Sequence, residues 1–232
     1  MFGSYKVGKS FTFDAVEIKT SKKEGVYWYV REGQGSTTKT ISSASAVIIN
    51  PIEPVTQPRE VTHYLLIELK TPVTLSPDSN LTIYVTFPVE VGVYLSEKEK
   101  VQHIDSFTLT NPKYTLYGTP EKGLICKWWE SEVFDRVPEV VPSTEGIMKV
   151  SIQNTSGDWA ELENLVFDAY YMKIYYKKFA CMNAEVKVLN NSVRTSFVDH
   201  PILKGMEKAI ELFRLRKIPI VEKSEFVMEL GL

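Results

Sequence analysis

Apolar and polar residues alternate with a period of two through most of this chain, and turn-forming residues interrupt the alternation at short intervals. Successive side chains of a strand point to opposite sides, so such a pattern builds sheets with one covered and one wet face. In "LTIYVTFPVEVGVYL", Leu81, Ile83, Val85 and Phe87 fall on one side, and Thr82, Tyr84 and Thr86 on the other. That stretch follows "LLIELKTPVTL" and the turn "SPDSN". Pro88 cannot donate to a ladder and marks a bulge or an edge. "GVYWYVRE" is rich in β-forming residues and follows the charged turn "SKKEG". Beyond Gly146, "IMKVSIQN", the turn residues Asn154 to Asp158, and "WAELENLVF" repeat the same arrangement.

About fourteen short strands at this spacing predict a mainly β protein of two antiparallel, immunoglobulin-like β-sandwiches of roughly seven strands each. The Gly–Pro–Gly cluster of "YGTPEKG" places a boundary, so that residues 1–118 form a first sandwich and 119–200 a second. "RVPEVVPSTEG", Arg136 to Gly146, is a second candidate boundary, ranked lower because the strands on both sides read as sheet neighbours. Residues 201–232 read as a C-terminal α-helix and tail. In "HPILKGMEKAIELFRLRK", Leu203, Met206, Ala209, Ile210 and Phe213 make an apolar stripe at helical spacing. Pro201 suits the first helical turn and Pro219 stops the run.

The net charge of −2 argues against a dedicated duplex-binding protein, which carries a basic excess. Two cysteines, Cys126 and Cys181, do not make a disulfide framework, and both sit in apolar runs where a free thiol is simply buried. The N-terminus has no apolar leader, and no apolar run is long enough to span a bilayer. The expected setting is cytoplasmic, and the three Asn-X-Ser/Thr triplets are taken as turns.

The stretch "VFDAYYMKIYYKKF", Val166 to Phe179, raises the sharpest functional question. As a continuous strand it places Tyr171, Lys173, Tyr175 and Lys177 on one wet face. Aromatics interleaved with cations are what single-stranded nucleic-acid platforms use: bases stack on rings while cations hold phosphates. Tyrosine is also a strong strand former and lysine covers aromatic surface with its stem, so an ordinary sheet strand explains the same pattern. A second concentration, Tyr114, Tyr117, Trp128 and Trp129, lies at the expected boundary. Aromatics there suit interdomain packing, an interface with another chain, or a ligand cleft. The adjacent tryptophans must face opposite sides of their strand.

Proton-transfer chemistry has one candidate pair, His103 and Asp105, two apart on one strand. No nucleophile elbow, zinc-protease, phosphate-loop or dinucleotide motif is present, and "GQG", Gly33 to Gly35, lacks phosphate-loop spacing. No metal-ligand spacing and no cofactor motif occur, so neither is expected.

"YLLIELKTPVTLSPDSNLTIYVTFPVEVGVYL", "NPKYTLYGTPEKGLICKWW" and "LVFDAYYMKIYY" together resemble the archaeal family catalogued as domain of unknown function 432. The resemblance covers Phe2 to Phe197. It implies an archaeal origin and a cytoplasmic setting, and carries no mechanism and no site residues. The chain therefore reads as a non-catalytic protein-interaction or assembly module, with a protein partner or self-association as its expected binding mode. Single-stranded nucleic-acid binding by the tyrosine–lysine face is the alternative. Carbohydrate or small-molecule binding, or hydrolysis, at an interdomain cleft is the other.

Overall fold

The computed structural model describes residues 2–58, 61–98, 100–215 and 225–229. Nineteen strands follow one another along the described chain. The first ten are β1 (Gly3–Lys6), β2 (Ser10–Phe13), β3 (Val16–Lys23), β4 (Val26–Glu32), β5 (Thr37–Ile41), β6 (Ala46–Ile52), β7 (Tyr64–Leu75), β8 (Asn80–Pro88), β9 (Glu90–Glu97) and β10 (Lys100–Thr108). Then come β11 (Lys113–Tyr117), β12 (Leu124–Ser131), β13 (Glu145–Asn154), β14 (Ala160–Asp168), β15 (Tyr175–Tyr176), β16 (Ala180–Val188), β17 (Ser192–Val198), β18 (Glu207–Lys208) and β19 (Phe226–Glu229).

These strands form four sheets. Sheet I has the order β1-β6-β9-β10 and sheet II the order β2-β3-β4-β5, both wholly antiparallel. Sheet III runs β11-β12-β7-β14, with β12 and β7 parallel. Sheet IV runs β18-β15-β16-β13-β8, with β17 on β16, β19 on β17, and β13 parallel to β16. The mainly β, mostly antiparallel reading therefore holds. Ladders cross the expected boundary at Gly118: β7 joins β12 and β14, and β8 joins β13. Sheets III and IV thus draw strands from both sides of it.

The alternation does the packing. Ile83, Val85 and Phe87 of β8 and Val150 and Ile152 of β13 are buried in one contiguous core with Leu65, Ile67, Leu165 and Phe167 of sheet III. Each such side chain contributes about 1.5–3 kcal/mol by leaving water. Sheets III and IV also meet at their flanks. Thr86 of β8 donates its amide to Ser131 Oγ of β12 at 2.8 Å, and Thr195 Oγ1 of β17 donates to the Val166 carbonyl of β14.

The expected C-terminal helix is not formed. Pro201 to Glu211 is irregular apart from the short β18, and among the described residues of this segment helix is limited to one turn, Leu212–Leu215, while Arg216 and Lys217 of the expected helix lie outside them. Two local causes act together. Gly205 takes a left-handed backbone (φ 76°), which no helix interior accommodates. The chain around Ile210 also finds better partners elsewhere. Its amide donates to Asn50 Oδ1 at 3.0 Å, and its carbonyl accepts from Asn50 Nδ2 at 3.3 Å. Leu212 N donates to the buried Glu53 carboxyl. Ala209, Leu212 and Phe213 still bury, while Leu203 of the expected stripe is exposed.

Candidate functional site

The aromatic concentration at β11 and β12 divides between the two faces of sheet III, where Tyr117 and Trp128 line an open cleft of about 290 Å³ with Glu68 and Asn164. Trp128 and Trp129 face opposite sides, as strand geometry requires. Trp128 Nε1 donates to Glu68 Oε2 at 2.6 Å on the outer face of sheet III, where Lys113 Nζ lies 4.7 Å from its ring. Trp129 Nε1 donates inward to Thr86 Oγ1. Tyr117 is buried, exchanging hydrogen bonds with the backbone of Glu229. Tyr114 is exposed opposite Lys127, its hydroxyl 3.5 Å from the Gln57 carbonyl.

Lys127 holds the most unusual position. It is 1% exposed and ion-paired to Glu90, which is wholly buried. Glu90 also accepts from Thr56 N at 2.9 Å, from Thr56 Oγ1, and from Gln57 N. Burial pushes the Glu90 carboxyl above its ordinary range, against the pull of the Lys127 charge and the Thr56 donors. Sheet I, sheet III and the segment before Pro58 are joined at this point. Every group has a partner inside the protein, so the pair sets register rather than presenting chemistry to a ligand.

His103 and Asp105 are separated by a bulge at Ile104: His103 pairs with Tyr94, and Asp105 with the adjacent Val93. One extra residue reverses the facing, so the two side chains diverge. Asp105 is buried and accepts from Tyr29 Oη at 2.7 Å and Arg31 Nε at 2.6 Å. Arg31 in turn donates to the carbonyls of Gly33, Gln34 and Gly35. The "GQG" turn is thus wrapped around an internal guanidinium. Gly33 has no alternative there, because a Cβ would lie 2.4 Å from the Ala15 carbonyl oxygen at φ +90°. The His103 ring packs against Tyr94.

The tyrosine stretch is not one strand. The ladder of β14 ends at Asp168, whose Oδ1 accepts from Tyr170 N at 3.0 Å and opens a single 3-10 turn over Ala169–Tyr171. The expected shared face is therefore taken apart. Lys173 pairs with Glu211 at 3.0 Å, with both side chains largely buried. Tyr175 is buried and donates to Asp199. Tyr171 belongs to the turn, and Lys177 stands exposed beyond β15. The turn instead stacks Tyr170 on His63, with centroids 4.5 Å apart and planes 9° apart. It also sets His63 Nε2 at 3.9 Å from Asp168 Oδ2. Burial raises the Asp168 carboxyl. Over a hundred residues separate the two partners, so no spacing rule could have joined them. Asp168→Ala should cost about 1 kcal/mol in urea unfolding, the usual loss for a removed cap.

Both thiols are buried, free and inert: Cys126 is pushed up to about 12 and Cys181 to about 11 by desolvation. They lie in different sheets. Among the described residues no cluster of three or more His, Cys, Asp or Glu is placed to hold a metal. No described helix is long and apolar enough to cross a membrane.

What remains accessible is surface. In β4, Tyr29 and Arg31 face inward, yet the outward positions Val26 and Trp28 are also apolar and are 41% and 37% exposed. With Val30, Ser21, Lys23 and Glu24 they line a shallow cleft of about 500 Å³ on sheet II. The β3–β4 hairpin turns through Glu24 (φ 51°) and Gly25 (φ 86°), the tight two-residue form that matches strand twist. The sequence carried a signal: "VYWYV" lacks the polar alternate of a one-faced strand.

The chain belongs to the family described as Protein of unknown function (DUF432), whose model matches residues 1–229. No curated protein and no solved structure matches it.

Proposed function

We propose that this member of the family is a non-catalytic assembly module that associates with a second copy of itself through the outer face of the β3–β4 hairpin. The observation that carries the reading is the exposed Val26–Trp28–Val30 face, apolar where a solvated strand is polar. A two-fold pairing would set this patch against itself and Lys23 of one copy against Glu24 of the other. Tryptophan at the centre of a patch is the residue type that dominates interface energies. The sequestration of the charged residues supports a non-catalytic role: Glu90–Lys127 and Arg31–Asp105 are paired within the fold.

The nucleic-acid alternative loses its support, since Tyr171, Lys173, Tyr175 and Lys177 do not share a face. Small-molecule or carbohydrate binding, or hydrolysis, at the cleft lined by Tyr117 and Trp128 remains the second alternative. Of the two immunoglobulin-like sandwiches expected over 1–118 and 119–200, the proposal retains only a sandwich-like packing of sheets III and IV, supported by their shared core and flank hydrogen bonds. The cytoplasmic, archaeal setting is part of the same proposal.

Light scattering coupled to size exclusion tests it. Wild type should run as a dimer at micromolar concentration, and Trp28→Glu as a 26.5 kDa monomer with unchanged melting temperature. A monomeric wild type at high concentration, or a variant with the mass of the wild type, would refute it.

A further inference from the structure

We propose that the open face of sheet IV is a binding site for a neutral oligosaccharide. Cross-strand partners point to the same face. The register therefore lays out one row of Asn80, Gln153, Lys187 and Arg194 across β8, β13, β16 and β17. A second row beside it holds Thr82, Ser151, Glu185 and Ser196. The alternate residues, such as Val150, Ile152 and Val186, are buried beneath. The two rows enclose a groove of about 340 Å³, within the usual range of ligand pockets.

The chemistry of the rows selects the ligand. Small hydroxyl residues leave depth at the centre, and amides and hydroxyls offer both donors and acceptors. Lys187 and Arg194 stand directly opposite each other, which is unfavourable for like charges. Glu225 answers one of them, at 3.1 Å from Arg194 Nη1. With Glu185 also in the lining, the groove carries two cations and two carboxylates and no net charge. An anion gains nothing there. A ligand of many hydroxyls, each able to donate and accept, matches both rows. Strands lie about 4.8 Å apart, close to the ring-to-ring repeat of an extended glycan crossing them.

Isothermal titration with cellohexaose, maltohexaose and mannohexaose tests the site. At least one should bind with a dissociation constant of about 1 mM or tighter, insensitive to salt. Asn80→Ala with Gln153→Ala should weaken it at least about tenfold. These side chains are exposed, so the variant should keep the wild-type melting temperature. Failure of all three sugars to bind overturns the proposal, as does unchanged affinity in the double variant. Salt-dependent binding of dextran sulfate in place of the hexaoses would overturn it too. The Trp28→Glu protein should bind as wild type does, so this result stands apart from the question of assembly.

Discussion

Lys127→Met is expected to lower the free energy of unfolding by about 3–5 kcal/mol at pH 7. For a chain of this size that is a fall in melting temperature of about 10 °C. Methionine matches the lysine stem in length, so lost packing contributes little. The cost comes from Glu90, which stays buried with no cation beside it while Thr56 and Gln57 still hold it in place. Glu90→Gln removes the other charge and should be similarly damaging, because it strands the lysine. The double variant Lys127→Met with Glu90→Gln should recover most of the loss: glutamine still accepts from Thr56, and no charge remains buried. A double-mutant cycle by urea unfolding measures the coupling. Single variants that each cost under about 1 kcal/mol would mean that water reaches the pair, and the site would have to be reconsidered as accessible.

The second large effect is a stability that falls as the solution becomes alkaline. Glu53 is fully buried, and desolvation pushes its carboxyl up to about 8 from an ordinary value of 4.5. The amides that cap onto it, from Leu212 and Phe213, pull the other way, and neighbouring Glu211 adds to the rise. Between pH 4.5 and 8 the folded state therefore holds a proton that the unfolded state has released. The Glu53 contribution is complete below the lower value and is lost as pH rises through the upper one, at most about 5 kcal/mol in all. Glu53→Gln keeps an acceptor for Leu212 and carries no charge. It should match wild type near pH 5 and exceed it by about 2–4 kcal/mol at pH 9. Chemical denaturation across that range reads the difference, and parallel curves for the two proteins would refute the buried carboxyl. The consequence is local to the chain's end. Asn50 and Glu53 are the side chains that hold Ile210 and Leu212, so the alkaline loss should appear first as exchange of those amides.

Strand positions were legible because side-chain alternation is a local property. Ile83, Val85 and Phe87 had to share a face whatever they packed on, and the opposed facing of Trp128 and Trp129 follows from the same geometry. The C-terminal stripe misled because helical spacing says only that apolar residues recur, not that the backbone bonds to itself. Asn50 and Glu53 supplied those bonds from more than a hundred residues away. The tyrosine stretch misled through Asp168, whose side chain could cap a turn as readily as ride a strand. His103 and Asp105 kept the right spacing but lost their shared face to a single extra residue at Ile104.

The sequence by itself determined a mainly β chain, its family, and the absence of familiar catalytic spacings, because periodicity and motif spacing are carried by neighbours in the chain. Only the tertiary structure decided which charges are sequestered and which faces stay open. Lys127 reads in sequence as any surface lysine, and its partner Glu90 lies on another sheet. Asn80, Gln153, Lys187 and Arg194 become one row only when four strands are set in register. Pairing of strands distant in the chain is settled by burial of the whole core, a free energy that no local window contains.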